Sequence, residues 1–312
     1  MKKYIMVVAM AVMLPFFGTA SAEYPDKPVT FVVPFPPGDL EDVTTRWIAE
    51  AFQAEYGVAA AVVNKPGGGG GPFPGAMEVA NAPADGSMVG SFVIGVPVVG
   101  PYIGIEGLNE DTFEPIGIFL TYPFVIATSG DAPYSTMQEL AAYAKDHKVA
   151  LGHFGAPLVP TKVTLAVAKE LGFSWGSDAA FDMLDCNTLA SGDVDVINTT
   201  LQLILACLDD VKVLASVTED RIALTSDAPT VGEIVPSLKI SLWNGLFVTK
   251  GTSQEVKDKL EAVAKRVMLG EKAQALTQET GGAFYWRDAA ASAAQIKDNV
   301  ATMAKINAML AD

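Results

Sequence analysis

Val29-Thr30-Phe31-Val32-Val33-Pro34-Phe35-Pro36-Pro37-Gly38 is the stretch that decides the fold. Its first five residues are apolar except for Thr30 and end at a proline, as in a buried parallel strand. Pro36 and Pro37 stiffen the turn that follows, and Gly38 lets the chain reverse without a Cβ. Apolar residues then recur at Val43, Trp47, Ile48, Ala51, Phe52 and Tyr56, the spacing of an amphipathic helix, until Gly57 stops it. Ala60 to Val63 reads as a second strand, a short helix runs through Met77 and Val79, and Met88 to Ile94 reads as a third strand. This β-α-β-α-β wiring belongs to an open, doubly wound α/β sheet, whose ligands sit beyond the carboxyl ends of the strands.

Further along, Thr136 with Glu139 opens a helix reaching Lys145, Val149 to Leu151 is a strand, and a helix from about Thr161 ends at Gly172. Asp182 to Leu189 reads as helix, Val194 to Ile197 as strand, Leu201 to Leu208 as helix and Val211 to Ala215 as strand. Leu242 to Val248 is another strand, Thr252 with Glu255 caps a helix to Met268, and Asp288 caps a last helix carrying Ala293, Ile296, Val300, Met303 and Ile306. Two extended stretches, Ile116 to Thr128 (interrupted at Pro123) and Ser241 to Thr249, look like crossings between two domains. The division expected is one lobe of residues 23–120 with 246–312 and a second lobe of residues 121–245.

Composition narrows the function. Of 312 residues, 50% are apolar and 18% charged, so a packed chain of two domains is expected. Asp and Glu number 36 against 21 Lys and Arg, and a net charge of −15 repels nucleic acid and anionic membrane surfaces. Lys2, Lys3, the apolar run Ile5 to Phe17 and Ala20-Ser21-Ala22 read as a signal peptide of residues 1–22, cleaved after Ala22. No later run is long enough to span a bilayer, so an exported protein without stable membrane insertion is expected. Export makes Cys186 and Cys207 candidates for one disulfide; two buried thiols on neighbouring helices are the alternative.

Signatures of other chemistries are weak. Gly67 to Gly71 lacks the Gly-Lys-Ser/Thr of a phosphate loop and runs into Pro72-Phe73-Pro74, which reads as a close-packed turn. His147 and His153 are the only histidines, and with the two cysteines they make no metal-ligand spacing. His153, just after a strand, is the only candidate base, and no Gly-x-Ser-x-Gly elbow accompanies it. Asp209-Asp210 reads as a solvated helix end. Asn198-Thr199-Thr200 matches a glycosylation acceptor, but at a strand end it reads better as two hydroxyls facing a cleft. Asp39, Glu41 and Asp42 crowd the first helical turn and already complement its dipole, which counts against a strong anion site there.

From Tyr24 onward the chain resembles the periplasmic solute receptors of tripartite tricarboxylate transporters, the Bug family. The resemblance rests on Tyr24-Pro25-Asp26-Lys27-Pro28, Val32 to Gly38, Asn64-Lys65-Pro66-Gly67 and Ala82-Pro83-Ala84-Asp85-Gly86. It continues through Ser191-Gly192-Asp193-Val194-Asp195, Asp227 to Glu233 and Trp243-Asn244-Gly245-Leu246. The resemblance implies a type II periplasmic binding protein fold, two α/β lobes hinged on two crossing strands. It implies capture of a small organic carboxylate, without cofactor or catalysis, by a monomer that delivers it to the membrane permease subunits. Carried over by position, the ligand contacts are Phe35, Pro36, Pro37 and Gly38, then Gly90, Ser91 and Phe92 in the first lobe. The second lobe contributes His153, Phe154, Gly155 and Ala156, then Thr161, Thr199 and Thr200. Asp39 stands where the family has a second glycine. Gly155-Ala156-Pro157-Leu158-Val159-Pro160-Thr161 replaces a segment rich in hydroxyls, leaving Thr161 and Lys162. Loss of donors disfavours a tricarboxylate, and Phe35, Phe92, Phe154, Tyr122 and Trp243 are candidates to line an apolar or aromatic ligand body. A receptor feeding a membrane sensor kinase and a secreted hydrolase using His153 are the competing readings.

Overall fold

Two sheets organise the computed structural model, which describes residues 23–67 and 71–311. The signal-peptide reading of residues 1–22 and the centre of the glycine run, 68–70, lie outside the described residues. The first sheet begins with β1 (Val29–Val33), β2 (Ala60–Asn64) and β3 (Met88–Val93), linked by α1 (Leu40–Tyr56) and α2 (Phe73–Ala80). After α3 (Gly95–Val99) comes the long β4 (Phe113–Thr121). The chain then crosses at Tyr122-Pro123 into the second sheet. This holds β5 (Phe124–Ser129), β6 (Ala150–His153), β7 (Ser177–Ala180), β8 (Val196–Thr200) and β9 (Val211–Ser216), with α4 (Met137–Tyr143), α5 (Val159–Glu170) and α6 (Cys186–Ala190) between them. After α7 (Val231–Ile234), the chain returns through β10 (Trp243–Thr249), α8 (Gln254–Met268), α9 (Glu271–Thr280), β11 (Ala283–Asp288) and α10 (Ala289–Ala311).

Strand order is β11-β4-β10-β3-β1-β2 in the first sheet and β7-β6-β8-β5-β9 in the second. β1 runs parallel to β2 and β3, as the alternating pattern requires, while β10 enters antiparallel between β3 and β4. The two crossings brace each other, since Tyr122 N–H donates to the Leu242 carbonyl at 2.8 Å. Phe31, Phe52, Phe92, Phe247 and Trp243 fill the core around the first sheet with no more than 1% exposure. Each such side chain contributes about 1.5–3 kcal/mol through burial.

Several local expectations change. The last helix is capped as expected, with Ala291 N–H donating to Asp288 Oδ1, but its buried face runs through Ser292, Asn299, Met303 and Ile306 and leaves Ala293 exposed. α8 is capped by Ser253, not Thr252, whose hydroxyl bonds the Thr249 carbonyl. Residues 182–185 are not helical: Asp185 accepts the Asn187 and Thr188 N–H groups, so α6 starts only after it. Leu201 to Leu208 forms two 3-10 turns, Leu201–Leu203 and Leu205–Asp210, with Cys207 off helical geometry. Cys186 and Cys207 are disulfide-bonded, with Cα atoms 6.0 Å apart, so the reading of two free buried thiols does not hold.

Candidate functional site

The end of β1 and the start of α1 form the first-lobe half of the site, and a network centred on Asp42 holds it. Gly38 N–H donates to Asp42 Oδ2 at 2.9 Å, Arg46 grips both Asp42 oxygens, and Asn64 Nδ2 donates to Asp42 Oδ1 and the Phe35 carbonyl. Burial would raise the Asp42 carboxyl, but Arg46, Asn64 and the Gly38 N–H outweigh it and hold it below the usual range. Gly38 has φ +102°, a conformation L side chains rarely adopt. Phe35 is half-buried, while Pro36, Pro37 and Gly38 are exposed.

Behind this loop lies Glu41, 3% exposed, its Oε2 without any hydrogen-bond partner. Burial first, then the Asp39 charge, push its carboxyl up to about 8, so it is protonated at neutral pH. Asp39, the helix cap, is open to solvent on one side and is also raised, by partial burial and then by Asp42. Tyr122, from the first crossing, places its hydroxyl beside Glu41 and is pushed well above its ordinary value by burial and then by that carboxyl. The same hydroxyl approaches Asn244 Oδ1 at 3.4 Å; Asn244 Nδ2 donates to Ser91 Oγ at 2.7 Å, and Thr45 Oγ1 donates to the same oxygen. A buried polar chain therefore runs from α1 through β3 to both crossing strands. The Ser91 oxygen, a sequence-predicted contact, is occupied by it.

Phe92, Gly90 and Trp243, also predicted at the site, serve packing. Phe92 is fully buried, stacked on Phe247 and edge-on to Phe113, and its ring lies across Gly90, where any Cβ would collide with it. Trp243 is buried too, its Nε1–H donating to Asn299 at 2.7 Å.

In the second lobe, β6 ends at His153, which is 2% exposed and satisfied on both sides. Nδ1 accepts the Gly155 N–H at 3.0 Å, so Nε2 carries the proton toward Asp178 Oδ1, also at 3.0 Å. Both ring nitrogens are engaged within the protein, and the Nδ1 bond orders the Gly155 turn. Phe154 is half-buried, edge-on to Phe124, and Ala156 is exposed. Lys162 turns away from the turn to donate to Asn307 on α10.

Thr161, at the start of α5, is fully buried with its hydroxyl unpartnered. On the central strand β8, Asn198 is fully buried and neither its Nδ2 nor its Oδ1 has a partner. Asn198 was not among the predicted contacts; an amide in the middle of an apolar central strand was the available signal, since a buried amide requires a partner. Period-2 alternation puts Val196, Asn198 and Thr200 on one face of β8, where Val196 packs in the same cluster as Val159 and Val163 of α5. Thr199 points to the other face and spends its hydroxyl on the Leu184 carbonyl at 2.6 Å. Thr200 stays on the Asn198 face, followed by Leu201, and Leu201 lies within 2.9 Å of where a Gly281 Cβ would stand. Leu201 and Ile222 thus pack against the loop before β11, and Arg287 of β11 reaches Glu219 at 3.3 Å.

Helix α1 caps the end of a parallel strand in one lobe, α5 does so in the other, and buried polar atoms without partners lie at both. A family model described as "Tripartite tricarboxylate transporter family receptor" matches residues 44–310. The chain belongs to that family. Among curated relatives of this receptor, an Agrobacterium vitis protein encoded in the TAR-I ttuE-ttuC' intergenic region is 28% identical over 282 residues, 85% of this chain and 78% of that one. A TctC solute binding protein from Polaromonas, solved without ligand, superposes with TM-score 0.76 at 25% identity, covering 92% of this chain and 99% of its own. An R. palustris protein solved with adipate superposes with the same TM-score at 21% identity, over 92% and 98% of the two chains. The receptor has the two-lobed α/β architecture of these periplasmic binding proteins. A separate open hollow of about 360 Å³, lined by Glu219, Lys239, Ser241, Arg287 and Gln295 among others, contains none of the predicted contacts. Among the described residues, no three His, Cys, Asp or Glu gather as metal ligands, and no helix is long and apolar enough to cross a membrane.

Proposed function

We propose that this receptor captures a small organic carboxylate between its lobes outside the cytoplasm and hands it to a tripartite tricarboxylate-type permease. The observation that carries the reading is that Thr161 Oγ1, at the start of α5, and Asn198 Nδ2, on the central strand β8 against which α5 packs, are both buried without hydrogen-bond partners. Buried donors of this kind each cost about 1–3 kcal/mol when left unpaired, and a carboxylate at a helix N-terminus supplies the missing acceptor. Adipate bound to the R. palustris neighbour supports the same ligand class. The working unit is a monomer, cut after Ala22, with lobes of residues 23–120 plus 246–312 and 121–245. It closes by rotation about Tyr122-Pro123 and Leu242, and water leaves the carboxylate as it does so.

The test is thermal unfolding of the exported protein, purified through denaturant to strip carried-over ligand, against mono-, di- and tricarboxylates with neutral sugars as controls. A ligand at about a hundred times its Kd adds about 2.7 kcal/mol and raises Tm by several degrees. A shift with a sugar and none with any carboxylate overturns the reading.

A further inference from the structure

The structure withdraws some of the aromatic side chains that the sequence offers to a ligand body, and supplies another. Phe92 and Trp243 are sealed in the core around the first sheet, and the Tyr122 hydroxyl faces Glu41 and Asn244. Phe35 and Phe154 stay half-buried. Phe124, also half-buried, joins them. It opens β5 directly after the Tyr122-Pro123 crossing and pairs with Thr200 at the end of β8, while Ile126 pairs with Asn198. Paired residues project from the same side of a sheet, so Phe124, Thr200 and Asn198 share one face, with Phe124 and Thr200 at the edge where the crossing enters. Phe154, just past the end of β6, meets Phe124 edge-on with ring centroids 6.3 Å apart. Phe124 packs on the cluster that holds Val159 and Val196, and Phe154 on the one that holds Ile197 and Leu201, so the two rings straddle the end of the sheet.

The polar atoms on this face provide for one carboxylate. Thr161 Oγ1 and Asn198 Nδ2 are buried without partners. The first-lobe loop spends Gly38 N–H and Arg46 on Asp42, and Lys162 of α5 donates to Asn307, so neither helix start offers a second carboxylate a free cation. A second carboxylate beside Phe124 and Phe154 would lose its water and gain no donor from either ring. We propose that the ligand is a monocarboxylate with an uncharged apolar body, its carboxylate at Thr161 and Asn198 and its body against Phe124 and Phe154, which select it. This rests on the carboxylate-receptor reading and narrows it. Phe124 is thereby a specificity-determining residue outside the sequence-predicted contacts, acting through ring area removed from water as the body packs on it. The same choice separates this receptor from the R. palustris neighbour solved with adipate, a dicarboxylate.

Titration calorimetry on the unfolded-and-refolded exported protein decides this. The probes are paired so that a methyl group replaces a carboxylate: hexanoate against adipate, and 4-methylbenzoate against terephthalate. The expected result is that the monocarboxylate of at least one pair binds at least about tenfold more tightly than its partner. Phe124→Arg, which puts a cation where the ring stands, reverses that preference. Phe154→Ser, at a turn outside the strand pairing, narrows it at least about threefold. Asn198→Leu loses binding of every probe. A smaller preference in the parent, or one for the dicarboxylate, in both pairs overturns the inference and leaves the receptor reading standing. A preference unchanged in Phe154→Ser, or kept in a folded Phe124→Arg, overturns the assignment to the two rings. Failure of every probe to bind overturns the inference, and if a neutral sugar binds instead, the receptor reading falls with it.

Discussion

Helices α1 and α5 do the same architectural job and solve it with opposite chemistry. Both start beyond the end of a parallel strand, with their first turns at the cleft. α1 fills its cap and first turn with Asp39, Glu41 and Asp42, one of which is buried unpartnered. α5 starts with Val159, Pro160 and Thr161, and has no acid there. The α1 end has its dipole answered by its own carboxylates, whereas the first turn of α5 carries no acid to answer its dipole.

The largest effect tests whether the α1 acid is as unfavourably placed as its burial implies. Glu41 has an ordinary value near 4.5 and sits at about 8 in the fold. Between these values the unfolded chain has released the proton and the native state keeps it, so stability falls as pH rises, by up to about 1.4 kcal/mol per pH unit. Glu41→Gln has no such slope. Its stability advantage over the parent widens from pH 5 to pH 8 to a few kcal/mol, and urea unfolding at four pH values reads the gap. A constant gap would mean that Glu41 is not held protonated.

The next effect lies in the second lobe alone. Cys186–Cys207, separated by 21 residues, encloses β8 with Asn198 and Thr200. Replacing both cysteines by serine costs about 3 kcal/mol, and the parent loses the same amount when reductant is added. A double serine variant as stable as the oxidised parent would show that the staple adds nothing to the α5 side.

Asp42→Asn comes third. Arg46 keeps 42% of its side chain in solvent, which screens the pair, so the loss is about 1–2 kcal/mol at pH 7. The Asp42 carboxyl is held below its ordinary value, so its contribution is present above that value and lost as pH falls through the lowered one. The gap between parent and Asp42→Asn therefore closes in acid, the reverse of the Glu41 trend. Chemical unfolding at pH 7 and below pH 4 reads both signs.

The smallest effect on stability is Asn198→Leu. Removing an unpartnered amide from a central strand is neutral or stabilising by about 1 kcal/mol, while carboxylate binding is lost. A variant that is destabilised by several kcal/mol would place Asn198 in the packing and remove it from the site.

Much of this was readable in the chain. Val29 to Gly38 and Ile116 to Thr128 announce themselves as apolar runs closed by proline or glycine, and they are β1 with its turn and β4 with β5. Strand β7 is not readable: Ser177-Asp178-Ala179-Ala180 is exposed throughout and is a strand only because β6 offers it a parallel edge. Two-residue periodicity sorts Ser91 from Phe92 and Asn198 from Thr199, yet it does not say which face meets a ligand. That choice falls to residues distant in sequence, Asn244 for Ser91 and Leu184 for Thr199. His153 looked poised because nothing in its own segment reveals Asp178 across the neighbouring strand.

The last helix has a mechanical consequence. α10 begins on Asp288 at the first sheet, and its final turns touch α5 of the second lobe, where Lys162 reaches Asn307 and Lys169 reaches the Met309 carbonyl. Its 23 residues make a rod of about 35 Å, long enough to bridge both bodies as a strut. The strut ties α5 to the first sheet, so any rotation of one lobe against the other would have to break or re-form the Lys162–Asn307 and Lys169–Met309 contacts.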